Sequence, residues 1–194
     1  IEATKLANHD EDRTASKLGK SIDKCKLAAA MLLTAAGSPY IYYGEELGIY
    51  GTKNNGDEYV RAPMLWGDSY TTSYTNKIDK TMVSNIKSVD KQKEDANSLL
   101  NTYLTFTQLR NTYPALAEGK MEKHPTYNES KEKDYVSVAA WYMTKDNEKL
   151  LILHNLKGTA IELSMTDKLD KAIAVSGTVQ QKNEDGSISV KLGA

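Results

Sequence analysis

The sequence predicts an α/β unit followed by an all-β domain, and two patterns along its 194 residues carry that expectation. Near the start, two short apolar stretches flank a segment with helical periodicity, which makes a β-α-β unit with parallel, adjacent strands. Beyond Leu116 the hydrophobic period shortens to two, and turn residues divide the chain into short strands. A boundary is therefore expected at about residues 114–120. With 40% hydrophobic residues, the chain can bury a substantial core.

The first stretch is Leu6-Ala7-Asn8-His9-Asp10, with Arg13 three residues on. Apolar residues give way there to an amide, an imidazole and a carboxylate, as when a buried strand delivers polar side chains at its C-terminal end. In α/β barrels catalysis sits at such ends. The same triplet also fits a polar turn in which Asn8 or Asp10 caps the next helix. Ile22, Cys25, Ala29, Leu32 and Ala36 then mark one helical face, with Ser21 as N-cap and Gly37-Ser38-Pro39 as the stop. Tyr40-Ile41-Tyr42-Tyr43 reads as a short strand buried on both sides, closed by Gly44, Glu45 and Glu46.

Composition from Leu47 to about Ala96 is that of a long loop, interrupted by Arg61-Ala62-Pro63-Met64-Leu65-Trp66. Loops of this length in compact domains usually serve function. A helix from about Ala96 to Thr112 places Leu99, Leu100, Tyr103, Leu104, Phe106 and Leu109 on its apolar side, and Pro114 ends it. Strands are then expected around 136–142, 150–153, 161–165, 172–175 and 188–192. Turns fall at Lys145 to Glu148, Gly158, the 166–170 region, Gly177 and Asn183 to Gly186.

Composition excludes several functions. A net charge of −1, with acids and bases mixed throughout, gives no reason to expect a nucleic-acid partner. No apolar run approaches the roughly 20 residues that span a bilayer. The single Cys25 forms no internal disulfide and suits a small buried apolar position. The chain opens on Ile1-Glu2-Ala3, so any targeting segment is expected to have been removed or to lie upstream. No Cys/His cluster has metal-ligand spacing.

Three segments together carry a family likeness. Leu6-Ala7-Asn8-His9-Asp10 resembles the strand-seven motif of the α-amylase family of glycoside hydrolases, family 13. Gly37-Ser38-Pro39-Tyr40-Ile41-Tyr42-Tyr43-Gly44-Glu45-Glu46 resembles its strand-eight motif. Arg61 to Trp66 is similar to the segment that follows in many bacterial members, and Ser98 through Arg110 to Leu116 resembles the eighth barrel helix. The resemblance covers essentially the whole chain, and is strongest towards starch-degrading amylases of Bacteroides-type bacteria. It implies the C-terminal part of a (β/α)8 TIM barrel over residues 1–116, then an antiparallel β-sandwich domain over 117–194. It further implies a larger enzyme whose carboxylate nucleophile and acid/base lie on strands four and five, before residue 1.

In that family the Asp of the triplet stabilises an oxocarbenium-like transition state, and the resemblance gives this role to Asp10. His9, Asn8 and Arg13 are the implied substrate-binding residues. His9 would hydrogen-bond the same sugar, Asn8 would chiefly orient the turn, and Arg13 would pair with Glu11 or Asp12 and shape the loop. Glu45 and Glu46 fit either a functional role or a structural ion pair. Trp66, Tyr70 and Tyr74 fit sugar stacking, although Trp66 fits a packed loop anchor better. His124 and His154 carry no motif, and His154 reads as a sheet residue. The expected partners are starch, maltooligosaccharides and the remainder of the barrel, at an extracellular, cell-surface or periplasmic location. Family members often bind calcium, with ligands expected upstream. Internal α-1,4 cleavage is the first expectation. Others of the same family (an α-1,6-glucosidase, a neopullulanase or a transglycosidase) and a non-catalytic carbohydrate-binding relative remain alternatives.

Overall fold

The computed structural model describes residues 2–67, 83, 85–127, 137–168, 170–173, 177–182 and 188–193. Two compact units emerge, one of Ile1–Lys120 with Thr144–Glu148, the other of Met121–Met143 with Lys149–Ala194.

In the first unit, strand β1 (Ala3–Lys5) leads into a short helix α1 (Thr14–Lys17) and then α2 (Ile22–Thr34). Ser21 caps α2 by accepting from the Lys24 amide, as its position predicts. Strand β2 (Ser38–Tyr40) returns parallel to β1 in the register Ala3 to Ser38, Thr4 to Pro39 and Lys5 to Tyr40. The expected β-α-β unit is therefore present. Gly37 closes the connection at φ +103°, where a Cβ would stand 2.8 Å from the Glu2 carbonyl oxygen, so glycine is required.

Both strands are shorter than the sequence suggests. Asn8, His9 and Asp10 lie in the turn beyond β1, not within it. Tyr40 is the last residue of β2, and Tyr40, Ile41 and Tyr43 are exposed, not buried on both sides. A sheet of two strands has too few neighbours to cover such side chains.

The segment after β2 makes 3-10 turns at Glu45–Leu47, Lys53–Asn55 and Asp57–Val60. Helix α3 (Val89–Glu94), capped by Ser88, lies within what composition marks as loop. It is held by Gln92, whose Nε2 donates to the Leu47 and Lys87 carbonyls while Oε1 accepts from the Leu100 amide. Helix α4 (Leu99–Thr112), capped by Ser98, packs on α2 through Cys25, Ala29, Leu33, Leu99, Tyr103 and Phe106. Leu104, expected on that face, points to solvent. Pro114 ends α4 and opens α5 (Pro114–Glu118), where its missing N–H costs nothing. At the C-terminus of α2 the Leu33 and Ala35 carbonyls, which no helical amide reaches, each accept from Arg110 Nη1 at 2.9 Å. A buried cation thus completes the negative end of the helix dipole.

Strands β3 (Lys120–Lys123), β4 (Val138–Lys145) and β5 (Glu148–Asn155) form one sheet in that order. Strands β6 (Ile161–Met165), β8 (Ile188–Leu192) and β7 (Gly177–Lys182) form a second, antiparallel one. The β4-β5 hairpin turns at Asp146, which adopts φ +51°. Val138 and Ala140 meet Ile161, Leu163, Met165, Ile188, Val190 and Leu192 in one core, with Leu151 and Leu153 against it. Gly177 begins a strand where a turn is expected. Residues 171–173 form no strand, and 174–176 and 183–187 lie outside the described residues.

Two histidines sit inside this β domain. His124 Nδ1 accepts from the Thr126 and Tyr127 amides, which leaves Nε2 to donate to Asp167 at 3.2 Å. Tyr142 donates to the other Asp167 oxygen. Burial alone would raise the Asp167 carboxyl pKa, but the bonds from Tyr142 and His124 outweigh it and hold it low. His154 lies in β5 beside Trp141, 7% exposed, and burial pushes its pKa down to about 4.

A histidine neutral in the folded state and free to titrate near 6.5 when unfolded destabilises the fold as pH falls. Its stabilisation is complete above pH 6.5 and is lost down to pH 4, a change of about 3 kcal/mol at 1.36 kcal/mol per unit. Urea unfolding between these pH values should therefore show a fall in stability that His154→Leu lacks. Parallel curves for the two proteins would refute it.

Candidate active site at the end of the first strand

The turn after β1 is built by Asn8. Its side-chain oxygen accepts from the Asp10 amide at 2.8 Å, and its carbonyl accepts from the Glu11 amide. His9 and Asp10 are thereby thrown outward on a tight, bonded loop, with side chains 62% and 57% exposed. Glu11 turns the other way and takes Lys5 and Lys17.

Arg13 lies behind this face. It is 1% exposed and pairs with neither Glu11 nor Asp12. Instead Nε donates to the Val60 carbonyl at 2.9 Å and Nη1 to the Tyr43 carbonyl at 2.7 Å. Its guanidinium stacks 4.5 Å from the Tyr42 ring centroid and 4.9 Å from that of Tyr43. Burial lowers its pKa, opposed by Tyr42, Tyr43 and Glu45. The expectation of a substrate contact through Arg13 gives way to a scaffold role, because its polar atoms are enclosed by protein. Tyr42 also donates to the Val60 carbonyl, at 3.1 Å.

These bonds bring a distant stretch to the turn. The Arg13 amide donates to the Gly51 carbonyl, and the Gly51 amide donates to Ser16 Oγ at 2.8 Å. Asp12 Oδ1 accepts from the Lys53 amide at 2.6 Å. With Gly51, Lys53 and Val60 all fixed, Lys53 and Arg61 fall beside Asp10. Arg61 Nη2 donates to Asp10 Oδ1 at 3.1 Å, and Arg61 Nε donates to the His9 carbonyl at 3.2 Å. Lys53 Nζ lies 3.5 Å from Asp10 Oδ1, and His9 Nε2 lies 3.0 Å from Asp10 Oδ2. Asp57 accepts from both Lys53 and Arg61. The hydrogen bond from Lys53, with Arg61 beside it, holds the Asp57 carboxyl below the usual carboxylate range.

Sequence reasoning did not single out Lys53, Asp57 or Arg61 as site residues. A four-residue alternation of cation, anion and cation was visible, but on a loop whose composition suits a solvated surface. Glu45 sits deeper, 6% exposed, and accepts from the Thr14 and Tyr103 hydroxyls at 2.7 Å each, so no ion pair holds it. Burial raises its pKa, against the two hydroxyl bonds. Trp66 is 56% exposed and is not packed as an anchor, while Tyr70 and Tyr74 lie outside the described residues. Among the described residues no group of three or more His, Cys, Asp or Glu converges as a metal-ligand set. Nor is any described helix long and apolar enough to cross a membrane.

The arrangement offers one exposed carboxylate with each oxygen directed by a neighbour, on a turn fixed from behind. Such a group accepts hydrogen bonds from hydroxyls and favours positive charge developing in front of it. Arg13→Met should leave the Tyr43 carbonyl without its side-chain donor and the Val60 carbonyl with only the Tyr42 hydroxyl, and cost about 2 kcal/mol of stability. A denaturant midpoint within error of the parent would show that Arg13 does not hold the turn.

Comparison with known proteins fits this geometry. The model of the alpha amylase catalytic domain matches residues 1–119, and that of the alpha-amylase SusG C-terminal domain matches 138–194. The chain is 68% identical over 193 residues to alpha-amylase SusG of Bacteroides thetaiotaomicron, covering 100% of this chain and 28% of that protein. It is 36% identical to alpha-amylase 3 of Dictyoglomus thermophilum, over 78% of this chain and 29% of the other. The crystal structure of an alpha-amylase from H. orenii superimposes with a TM-score of 0.84 at 26% identity, over 100% of this chain and 38% of that one. The chain thus spans less than a third of the length of these two curated relatives.

Proposed function

The chain belongs to the α-amylase family of glycoside hydrolases, and from that premise we propose that it forms the C-terminal part of a retaining α-glucan hydrolase that cleaves internal α-1,4 bonds of starch and maltooligosaccharides. Residues 1–116 would complete the catalytic barrel, and 117–194 would be its β-sandwich domain. The observation that carries this reading is Asp10, an exposed carboxylate on a bonded turn at the C-terminal end of a parallel strand. In a glycosidase the reacting ring flattens and gains positive charge as the bond breaks. Asp10 would accept hydrogen bonds from the ring hydroxyls and favour that charge, while nucleophile and acid/base come from strands outside this chain. His9, adjacent and exposed, would bind hydroxyls of the same sugar, with Asn8 fixing the turn that presents both.

Starch is too large to enter a cell intact, which supports an extracellular, cell-surface or periplasmic site of action. Any calcium bound by the full-length enzyme would take its ligands from upstream of this chain.

In the full-length enzyme, Asp10→Asn should lower kcat on soluble starch by about 10²–10³-fold, with little change in thermal stability. His9→Ala should act more mildly and raise KM as well. Near-parental turnover by the Asp10→Asn enzyme would overturn the assignment.

A further inference from the structure

Asp10 is not held by burial, since more than half of its side chain meets solvent. Its direction depends instead on cations from elsewhere in the chain. Those cations are Lys53 and Arg61, and both have a second anionic partner in Asp57. The distances are unequal. Arg61 Nη2 lies 2.8 Å from Asp57 and 3.1 Å from Asp10, while Lys53 Nζ is in direct hydrogen-bonding contact with Asp57 and 3.5 Å from Asp10.

Two like charges brought together on one exposed loop repel unless an anion lies between them. Asp57 occupies that place, four residues from each, on the 3-10 turn that begins at Asp57 and ends beside Arg61. Without it, Lys53 and Arg61 would separate, and each carries a long side chain with much rotamer freedom to regain. Arg61 would then hold the His9 carbonyl and Asp10 with one fewer restraint.

We propose that Asp57 is a positioning residue for Asp10, gathering Lys53 and Arg61 into one rigid pair that fixes the direction of the Asp10 carboxylate. This rests on the assignment of Asp10 to the transition state made above. Asp57 touches no sugar in this account. Its effect passes through Asp10, so it bears on the rate of bond cleavage more than on binding.

The test is a double-mutant cycle in the full-length enzyme, with soluble starch as substrate and the variants D10N, D57N, D57E and D10N/D57N. D57N should lower kcat by about tenfold and move KM by less than about twofold, since a misdirected carboxylate forfeits about 1.4 kcal/mol at the transition state. D57E, which keeps the anion, should recover most of that loss. In the D10N background the same D57N change should alter kcat by less than about twofold, the non-additivity expected of residues acting as one unit. Thermal unfolding of each variant separates a folding defect from a positioning one, because a folding defect would lower the parent and D10N backgrounds alike. An equal loss in both backgrounds, or a D57N enzyme with parental kcat, would overturn the proposal. Parental turnover by D10N would instead overturn the role of Asp10, a separate failure.

Discussion

A buried guanidinium that bonds to main-chain carbonyls and not to a carboxylate is the constraint on which the first unit depends. Taking Arg13 out of water costs several kcal/mol unless its donors are matched. Two of them are matched here, Nε by the Val60 carbonyl and Nη1 by the Tyr43 carbonyl, while the faces of Tyr42 and Tyr43 cover the guanidinium and Nη2 stays buried without a hydrogen-bond partner. Those partners belong to segments thirty and more residues along the chain, neither of which forms a ladder with the turn after β1. One side chain thus supplies the fixed connection that regular secondary structure does not. Its main-chain amide adds the bond to Gly51. Moving Arg13 would shift both the loop that carries Lys53 and the turn that carries Arg61.

The same solution recurs wherever backbone is irregular. Gln92 satisfies carbonyls of Leu47 and Lys87 and the amide of Leu100 around the short helix α3. Arg110 takes the free carbonyls at the end of α2. Glu45 collects two hydroxyl donors from Thr14 and Tyr103. In each case a buried polar side chain stands in for a missing ladder, because an unpaired buried carbonyl or amide costs more than ordering the side chain that pairs it. The β domain needs less of this. Its ladders pair the backbone, and its polar interior is centred on the bonds among His124, Tyr142 and Asp167.

The exposed site works on a different principle. Lys53, Asp57, Arg61 and Asp10 are each between a third and three-fifths exposed, where a single ion pair contributes little to stability. Their value lies in direction, since each cation is shared by two carboxylates and each carboxylate by two cations. A rigid floor of buried polar bonds beneath a charged, solvent-facing surface lets a carboxylate keep its aim and still meet a sugar.

Local chemistry in the sequence determined the parts that short-range physics controls. Ser21 before a periodic apolar face marked the start of α2, and the turn residues around two short apolar runs marked β6 and β8. The cluster Asn8-His9-Asp10 marked the end of the first strand as the place to look for chemistry. Only the tertiary structure decided what surrounds it. Arg13 lies beside Glu11 and Asp12 in sequence and bonds to neither, because its side chain turns inward to the carbonyls of Tyr43 and Val60. Lys53, Asp57 and Arg61 recur every four residues, a spacing that a solvated loop shows equally well, and their place beside Asp10 follows from those same distant bonds. Hydrophobic period and capping act over a few residues and leave a trace in the sequence. A bond across forty or fifty residues leaves none, because either partner would read the same on a loop facing water.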